Sequence, residues 1–300
     1  MQYIKGLNHY VYEGKTAVTF GKFDGLHLGH RKLIRTVKEL SEKEDVESVV
    51  CAFDMGQSNV LMTKEERKLH LENEVEYLVD CPFTKEFSEL SAEVFIRDII
   101  KGVFHADFVV VGTDFQFGYG KRGDVHMLAG YKKQYRYELI VIEKKCYRDR
   151  IISSTYIKEV LREGKADDAA NMLGYNFGIA GIVEHGRQLG RTLGFPTFNV
   201  LWPQEKIVPP KGVYLCRVYV DGRGYNGIAN IGVKPTVSDE DKVWIESFLF
   251  GYEGNAYGKE VMVELIEYVR PEQKFSGKEE LKAYVNRDIK YGKRYFEIKK

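Results

Sequence analysis

The chain has 300 residues, of which 44% are hydrophobic and 30% are charged. This length suits two ordinary domains or one large one, and the composition excludes a disordered chain. Lysine and arginine total 45 against 44 aspartates and glutamates, and the resulting net charge of +1 argues against a dedicated nucleic-acid binder or a polybasic membrane binder.

Cysteine usage and the N-terminus indicate the compartment. The four cysteines are scattered, with no pair at metal-ligand spacing, which predicts free thiols in a reducing environment. Residues 1–10 lack the apolar core of a signal peptide, and no apolar stretch approaches the length of a membrane span. We therefore expect a cytoplasmic protein that does not associate with membranes.

The first half of the chain alternates short apolar strands with amphipathic helices. Because the apolar runs are continuous, we expect a parallel sheet covered on both faces, in a Rossmann-like α/β domain. The predicted strands are 16–20, 48–53, 108–112 and 138–142, and the predicted helices are 30–41, 64–78, 92–100, 154–163 and 166–173.

After Gly174 the pattern changes to strands separated by Gly, Pro and Asp turns. Strands without intervening helices predict an antiparallel barrel or sandwich, closed by a helix from residue 278. We place the boundary near Gly174, which gives domains 1–174 and 175–300. The predicted strands are 178–183, 212–220, 225–231, 244–250 and 261–269.

The segment 21–30, between the first predicted strand and the first predicted helix, carries the most specific motif. Glycines in this position let phosphates approach backbone N–H groups, and a helix N-terminus adds positive partial charge. His27 and His30 are three residues apart, so both imidazoles could stabilise the charge that develops on an α-phosphate during nucleotidyl transfer. The alternative is a tight turn with two surface histidines. The phosphate-binding candidates here are Gly21, Phe23, Asp24, Gly25 and Gly29.

Three further sets of residues each allow two interpretations. Ser153, Ser154, Thr155 and Lys158 begin a predicted helix, where hydroxyls are either ordinary N-caps or phosphate ligands. Thr197 and Asn199 are two apart on one strand, so their oxygens could bind Mg²⁺, or they form a turn with a side-chain hydrogen bond. Glu246, in a strand with apolar or small neighbours, is a candidate general base, or it faces solvent by alternation.

A fourth motif, Gly118-x-Gly120-x-x-Gly123, matches the dinucleotide-binding pattern, with Glu143 about 20 residues further on. The segment Asp114-Phe-Gln-Phe117 intervenes between the preceding strand and these glycines, and that strand comes late in the sheet. We therefore interpret the segment as a loop, with a nicotinamide-dependent oxidoreductase as the competing hypothesis.

Taken in order, these motifs resemble the bifunctional prokaryotic riboflavin kinase/FAD synthetase family, from about residue 16 to residue 288. The segment 21–30 resembles the family's adenylyltransferase loop, and Gly112-x-Asp114-Phe-x-Phe-Gly118 resembles a second segment of the same half. Ser153-Ser154-Thr155 is similar to its second phosphate motif. In the second half, the similar segments are Gly190-Arg191 through Asn199, Asn230-Ile-Gly-x-x-Pro-Thr236 and Tyr257-Gly-Lys259.

The resemblance implies two reactions on two domains. A C-terminal barrel would phosphorylate riboflavin to FMN with ATP and Mg²⁺, and the N-terminal domain would adenylylate FMN to FAD with a second ATP. It places Thr197 and Asn199 on magnesium, Glu246 on the hydroxyl proton, and His27 and His30 at the adenylyl transition state. It also assigns phosphate contacts to Ser154, Thr155, Lys158, Gly190 and Arg191, a position near the nucleotide or metal to Asp114, and flavin contacts to Arg270 and Phe275.

The chain departs from the family at several positions. Asp54-Met55-Gly56-Gln57 replaces a Pro-His-Pro element, Tyr156 and Lys158 stand where arginine is frequent, and Phe248 and Gly251 replace a histidine and an aspartate. Two alternatives remain at this stage. One is a kinase with a weak or silent adenylyltransferase half, and the other is a flavin-binding regulatory protein whose catalysis has decayed.

Overall fold

The structure, a computed structural model, describes residues 1–56, 58–186, 194–233 and 242–298. The chain forms two compact units, Met1–Ser154 and Thr155–Lys300. The two helices that precede Gly174 fall mainly in the second unit, and the domain boundary at Gly174 stays a prediction.

The first unit is built on a parallel sheet of six strands in the order β1-β4-β3-β2-β5-β6. The central strands are buried on both faces, which is the reason for their continuous apolar sequences. The predicted parallel α/β architecture is thus confirmed. The strands are β1 (Gln2–Lys5), β2 (Thr16–Gly21), β3 (Glu47–Asp54), β4 (Tyr77–Pro82), β5 (Ala106–Gly112) and β6 (Glu138–Ile142).

Helices cover this sheet, and a short hairpin follows it. The largest, α1, buries Leu33, Ile34 and Val37, the spacing of one helical face. The helices are α1 (Leu28–Lys43), α2 (Lys64–Leu71), α3 (Lys85–Ser88), α4 (Ala92–Val94, continuing as a π-helical segment over Phe95–Val103) and α5 (Val125–Tyr135). The hairpin strands are β7 (Cys146–Tyr147) and β8 (Arg150–Ile151).

One predicted helix is wrong in its second half. The helix expected over 64–78 ends at Leu71, and strand β4 begins at Tyr77. Leu71, Val75 and Leu78 have helical spacing, so the sequence continues the periodicity across a turn. The structure instead buries Leu78 completely between β1 and β3, where tertiary pairing overrides the local pattern.

The second unit is a closed antiparallel barrel with strand order β10-β13-β12-β11-β14-β9, closed by pairing of β9 with β10. The barrel, rather than the sandwich, is therefore the observed architecture. The elements of this unit are α6 (Ser154–Arg162), α7 (Ala166–Leu173), β9 (Gly178–Glu184), β10 (Phe198–Leu201), β11 (Gly212–Val220), β12 (Arg223–Val233), β13 (Val243–Leu249), β14 (Glu260–Pro271) and α8 (Lys278–Ile298).

The long helix α8 packs on one wall of the barrel. Buried Val213, Leu215 and Ile228 form the barrel side of this contact. The residues that pack against them include Phe248 and Phe250 on the barrel side and Val285 and Ile289 on α8. The predicted closing helix is thus confirmed, and it covers the wall that carries Glu246 and Phe248.

The glycine motif 118–123 has a packing role. A Cβ on Gly118, whose φ is +71°, would lie 2.7 Å from the backbone N of Ala92, and a Cβ on Gly123 would lie 2.5 Å from the Phe117 ring. Phe117 and Gly123 pair with each other by backbone hydrogen bonds. The segment is an ordered turn whose glycines permit close contacts, which supports its interpretation as a loop.

We predict that Gly118→Ala destabilises the first unit much more than Gly120→Ala. Both glycines have positive φ, so each alanine costs about 1 kcal/mol of backbone strain. At Gly120 a Cβ meets nothing within 4 Å, whereas at Gly118 it clashes with Ala92, which adds about 2 kcal/mol. Urea unfolding followed by circular dichroism measures the difference, and equal losses in the two variants would contradict the close approach.

Candidate active sites

The first candidate site lies at the carboxyl ends of the parallel strands, where the strand order reverses. From β2 the chain continues to β3 and β4 on one side, and later to β5 and β6 on the other. Ligands of open α/β sheets bind at such a switch point. The predicted segment 21–30 leaves β2 here, and Asp114 follows the adjacent strand β5.

The loop between β2 and α1 has an unusual backbone. Phe23, Gly25 and Leu26 have φ values of +48°, +82° and +40°. Phe23 and Leu26 are nevertheless fully buried. The side chain of Asp24 accepts a hydrogen bond from the Leu61 N–H (2.6 Å), and its carbonyl accepts one from the Ser154 hydroxyl (2.8 Å). The structure therefore brings Ser154 of the second predicted phosphate motif to the first one.

His27 and His30 form a stacked pair at the start of α1. Their ring centroids are 3.7 Å apart with an interplanar angle of 16°. Nδ1 of His27 accepts the backbone N–H of His30 at 3.3 Å, so His27 is the N-cap of the helix. In a neutral ring this leaves the proton on Nε2 of His27, which makes that atom a hydrogen-bond donor.

Both histidines are neutral at physiological pH. Burial lowers the pKa of His27 to about 4. Burial also places the pKa of His30 well below its ordinary value, helped by the proximity of His27 and Arg67. Nδ1 of His30 is buried, and the described residues offer it no hydrogen-bond partner. The site therefore presents neutral donors and the positive end of a helix, an arrangement suited to an incoming anion.

Gly29 gives the pair the space it needs. A Cβ at this position would lie 3.1 Å from Cε1 and 3.2 Å from Nδ1 of His27. These distances are shorter than ordinary carbon contacts, so a Cβ here would require the imidazole to shift by a few tenths of an ångström. The glycine predicted to admit a phosphate thus also positions the histidine.

The other predicted phosphate residues have varied surroundings. Asp114 is mostly exposed and pairs with Lys144 at 2.6 Å. Ser153 is half-buried and immediately precedes α6. Thr155 is exposed on α6, and Lys158 is half-buried on the same helix. Gly190, Arg191 and the departure at Gln57 lie outside the described residues.

The second candidate site is a cavity of about 220 Å³ on the wall of the barrel that α8 covers. Four predicted residues from different elements line it together: Thr197, Glu246, Arg270 and Phe275. The departure Phe248 also lines this cavity. The sequence separation of these residues shows that the fold, not local sequence, assembles the site.

Glu246 lies in the middle of a polar row across three strands. Asn199 on β10 pairs with Glu246 on β13, and Glu246 pairs with Asn230 on β12. Directly paired residues point to the same face, so both amides flank the carboxylate. Burial alternates along β13, where Ile245 and Ser247 are buried and Glu246 is half-buried. The more exposed face of the strand, which carries Glu246, lines the cavity.

Arg270 is held by the closing helix. Its guanidinium bonds both carboxylate oxygens of Asp288, the shortest at 2.6 Å, and Asp288 is almost fully buried. The cation lies 6.0 Å from the Phe275 ring centroid and 5.6 Å from that of Tyr284, and the two rings are 5.3 Å apart. This arrangement fixes a planar cation beside aromatic rings at the cavity.

A metal at the second site would need oxygen donors. Among the described residues, no group of three or more His, Cys, Asp or Glu side chains is placed to hold a metal ion. Thr197 and Asn199 are donors of another type, hard neutral oxygens that suit Mg²⁺ when phosphates complete its coordination. A Cβ at Gly186 would lie 2.4 Å from the Asn199 amide nitrogen, so the absence of a side chain there keeps this amide in place.

Sequence reasoning missed several residues of these sites. Asn230 was noted only as part of a motif, although its pairing with Glu246 follows from strand register. Asp288 and Glu272 line the cavity, but charged residues on an exposed helix and a loop carry no sequence signal. Arg67, which donates to the Lys22 carbonyl, belongs to a helix that appears merely charged.

Comparison with known proteins agrees with the two-unit architecture. Residues 11–156 match the FAD synthetase family, and residues 173–296 match the riboflavin kinase family. A bifunctional riboflavin kinase/FMN adenylyltransferase from Bacillus subtilis is 36% identical over 95% of this chain and 93% of its own length. The protein of the same name from Escherichia coli is 33% identical over 94% and 93%.

A solved structure is also similar over almost the whole chain. It is named as a macrolide-efflux protein from Streptococcus pneumoniae, with 28% identity, a TM-score of 0.84 and coverage of 96% of both chains. Among the described residues, we find no helix both long and apolar enough to span a membrane.

We predict that neither His27 nor His30 becomes protonated as the pH falls from about 8 to about 5, because burial opposes the charged form. NMR of protein with ¹³C-labelled histidine rings measures this. The signals are assigned by their loss in His27→Asn and His30→Asn, and asparagine at position 27 retains an N-cap. A midpoint near 6.5 for either ring would contradict the buried neutral pair.

Proposed function

Because the chain belongs to the family of bifunctional riboflavin kinases/FMN adenylyltransferases, we propose that its two candidate sites divide the two reactions between them. The enzyme phosphorylates riboflavin to FMN with one ATP and joins FMN to the adenylyl group of a second ATP, which gives FAD and pyrophosphate. Similarity to bifunctional enzymes over almost the full chain favours this function over the two alternatives, a kinase with a weak or silent adenylyltransferase half and a flavin-binding protein whose catalysis has decayed.

The stacked histidines carry the assignment of adenylyl transfer to the first unit. In this reaction a phosphate oxygen of FMN bonds to the α-phosphorus of ATP, and the bond from that phosphorus to the bridging oxygen breaks. Negative charge builds on the α-phosphate oxygens. Nε2–H of His27 donates to one of them, and the N-terminus of α1 adds its positive partial charge.

Neutral histidines have an advantage in this role. A charged imidazolium in the free enzyme would need a counter-ion, whereas the buried neutral pair needs none. Binding of the polyanionic triphosphate raises the pKa of both rings, so each can gain a proton or strengthen its hydrogen bond as charge develops. Ser153, Ser154, Thr155 and Lys158 contact the phosphates in our proposal, with Asp114 near the nucleotide.

The cavity under α8 carries the assignment of the kinase reaction to the barrel. Glu246 accepts the proton of the ribityl 5′-hydroxyl as that oxygen bonds to the γ-phosphorus and ADP leaves. Asn199 and Asn230 are paired in register with Glu246, and the Asn230 amide donates a hydrogen bond to Glu272 at 3.2 Å. Gly190 and Arg191 contact the ATP phosphates in our proposal.

Thr197 and Asn199 would hold Mg²⁺ in the barrel. Thr197 immediately precedes β10 and lines the cavity, and Asn199 on β10 is paired in register with Glu246. The ion, when bound, neutralises charge on the ATP phosphates. Thr197 and Asn199 then fix the nucleotide's position relative to the general base.

Arg270 and Phe275 form the flavin side of the same cavity. The isoalloxazine ring is flat, and a clamped guanidinium next to an aromatic ring gives it a flat surface on which to stack. Asp288 keeps the guanidinium from turning away. The free state of all four cysteines, three of them buried, leads us to place the reactions in the reducing cytoplasm.

We predict that His27→Asn reduces FAD formation at least about 100-fold and leaves FMN formation unchanged. Loss of one preorganised donor typically costs this much, and asparagine preserves the helix cap. The purified protein is incubated with riboflavin, ATP and Mg²⁺, and the flavins are separated by chromatography. Loss of both products in a folded variant would contradict two separate sites.

Glu246→Gln gives the reverse pattern. We expect FMN formation to fall about 100-fold or more, since the amide cannot accept the hydroxyl proton. FAD formation from supplied FMN stays at the wild-type rate. The variant thus serves as the matched control for His27→Asn, and an unchanged kinase rate would remove Glu246 from the role of base.

For the metal, we predict that Asn199→Ala increases the Mg²⁺ concentration needed for half-maximal FMN formation by about tenfold, the usual effect of losing one weak ligand contact. The Mg²⁺ dependence of FAD formation in the same protein is the internal control. An equal shift in both reactions, or no shift in either, would exclude Asn199 as a specific ligand of the kinase metal.

A further inference from the structure

A buried ion pair lies behind the adenylyltransferase loop. Nη2 of Arg67, on α2, bonds Oδ1 of Asp80, on β4, at 2.6 Å, and both side chains are at least nine-tenths buried. The Tyr3 hydroxyl donates to the other carboxylate oxygen at 2.7 Å. A buried ion pair is weak evidence for stability, because desolvation offsets much of its attraction.

The guanidinium also reaches the catalytic loop. Nη1 of Arg67 donates to the backbone carbonyl of Lys22 at 3.4 Å, a long hydrogen bond. The next residue, Phe23, has its ring 5.1 Å from that of His30. Arg67 therefore holds the backbone at the point where the left-handed turn begins.

The Nε of Arg67 adds to this argument. It is buried, and none of the described residues accepts a hydrogen bond from it. A buried donor without a partner is unfavourable, so stability alone does not account for an arginine here. The other nitrogens of the Arg67 guanidinium bond the Lys22 carbonyl in the loop and the Asp80 carboxylate.

From this geometry we propose that Arg67 is a positioning residue of adenylyl transfer, which holds the Lys22 carbonyl and places a compensated positive charge near His30. This rests on the proposed function of the histidine pair. The charged or titratable groups around His30 are His27 in the same turn, Lys22 and Asp24 in the loop, Arg31 with its partner His70, and Arg67 with Asp80. Burial is the main reason for the lowered pKa of His30, and of these groups His27 and Arg67 lower it further.

The role has a direct chemical consequence. Burial keeps the pKa of His30 low, and Arg67 adds to this effect, so the ring stays neutral until a triphosphate brings negative charge to the site. Without Arg67, His30 would bind a proton more readily in the free enzyme, and the loop would lose its anchor at Lys22. The first effect changes the pKa of His30, whereas the second changes the rate of FAD formation.

The test compares Arg67→Met, Arg67→Lys and Arg97→Met. Methionine removes the charge and keeps the volume, and lysine keeps the charge but loses the fork. Arg97 has a similar two-point bond to a carboxylate, that of Asp98, but is exposed, so its variant is the matched control. The histidine NMR titration is repeated on each protein and extended below pH 5 as far as each protein stays folded, so that the onset of His30 protonation is compared, together with kcat and KM for FAD formation and the kinase rate.

We expect Arg67→Met to move the His30 midpoint upward by about one pH unit, because the variant removes a cation near the ring and leaves the Asp80 carboxylate without its partner. Its kcat for FAD formation falls tenfold or more. Arg67→Lys keeps the His30 midpoint with a smaller loss of kcat, and Arg97→Met matches wild type. The kinase rate is the same in all three variants.

An unchanged His30 midpoint in a folded Arg67→Met protein would overturn the inference. So would an equal shift in Arg67→Lys, because structural damage rather than charge would then be the cause. If Arg67→Met does not fold, the Arg67→Lys protein decides alone: a displaced midpoint or an unchanged kcat overturns the proposal. The wild-type and His27→Asn assays distinguish this failure from failure of the proposed function itself.

Discussion

Between β2 and α1 the backbone takes the left-handed conformation at Phe23, Gly25 and Leu26, and the position of both histidines depends on this turn. For a bulky side chain this conformation costs about 1 kcal/mol or more, and the loop contains two such residues. Both are fully buried, and burial of a Phe or Leu side chain contributes about 2–3 kcal/mol. The hydrophobic core therefore offsets the strain of a turn that starts α1 directly with its two histidines.

The turn is also held from outside by groups that are distant in sequence. Asp24 accepts hydrogen bonds from the Leu61 N–H, through its side chain, and from the Ser154 hydroxyl, through its carbonyl. The Lys22 carbonyl accepts one from Arg67. Three segments therefore fix a loop whose own sequence would allow other conformations. Glycine at position 29 has a separate effect, since a Cβ there would lie 3.1 Å from the His27 ring, closer than an ordinary carbon contact.

The sequence allowed prediction of the parallel sheet and the barrel, because these follow from continuous apolar runs and turn residues, and its short motifs supplied the candidate site residues. It failed where the cause lies in tertiary contacts. Strand β4 was missed because Leu71, Val75 and Leu78 imitate a helix, and only pairing with β1 and β3 decides their structure. Asn230 was not recognised as a neighbour of Glu246, because register across a barrel cannot be inferred from one strand alone.

The chain uses ATP as a substrate although its net charge is near zero. The charged groups of the two sites are arranged in different ways. In the α/β unit the buried histidines are neutral, and the nearby cation of Arg67 is neutralised by Asp80. In the barrel, the cation of Arg270 is neutralised by Asp288, and Glu246 is paired in register with the neutral residues Asn199 and Asn230. In both sites the arginine is bound to a buried carboxylate, so it can fix geometry without attracting phosphate to itself.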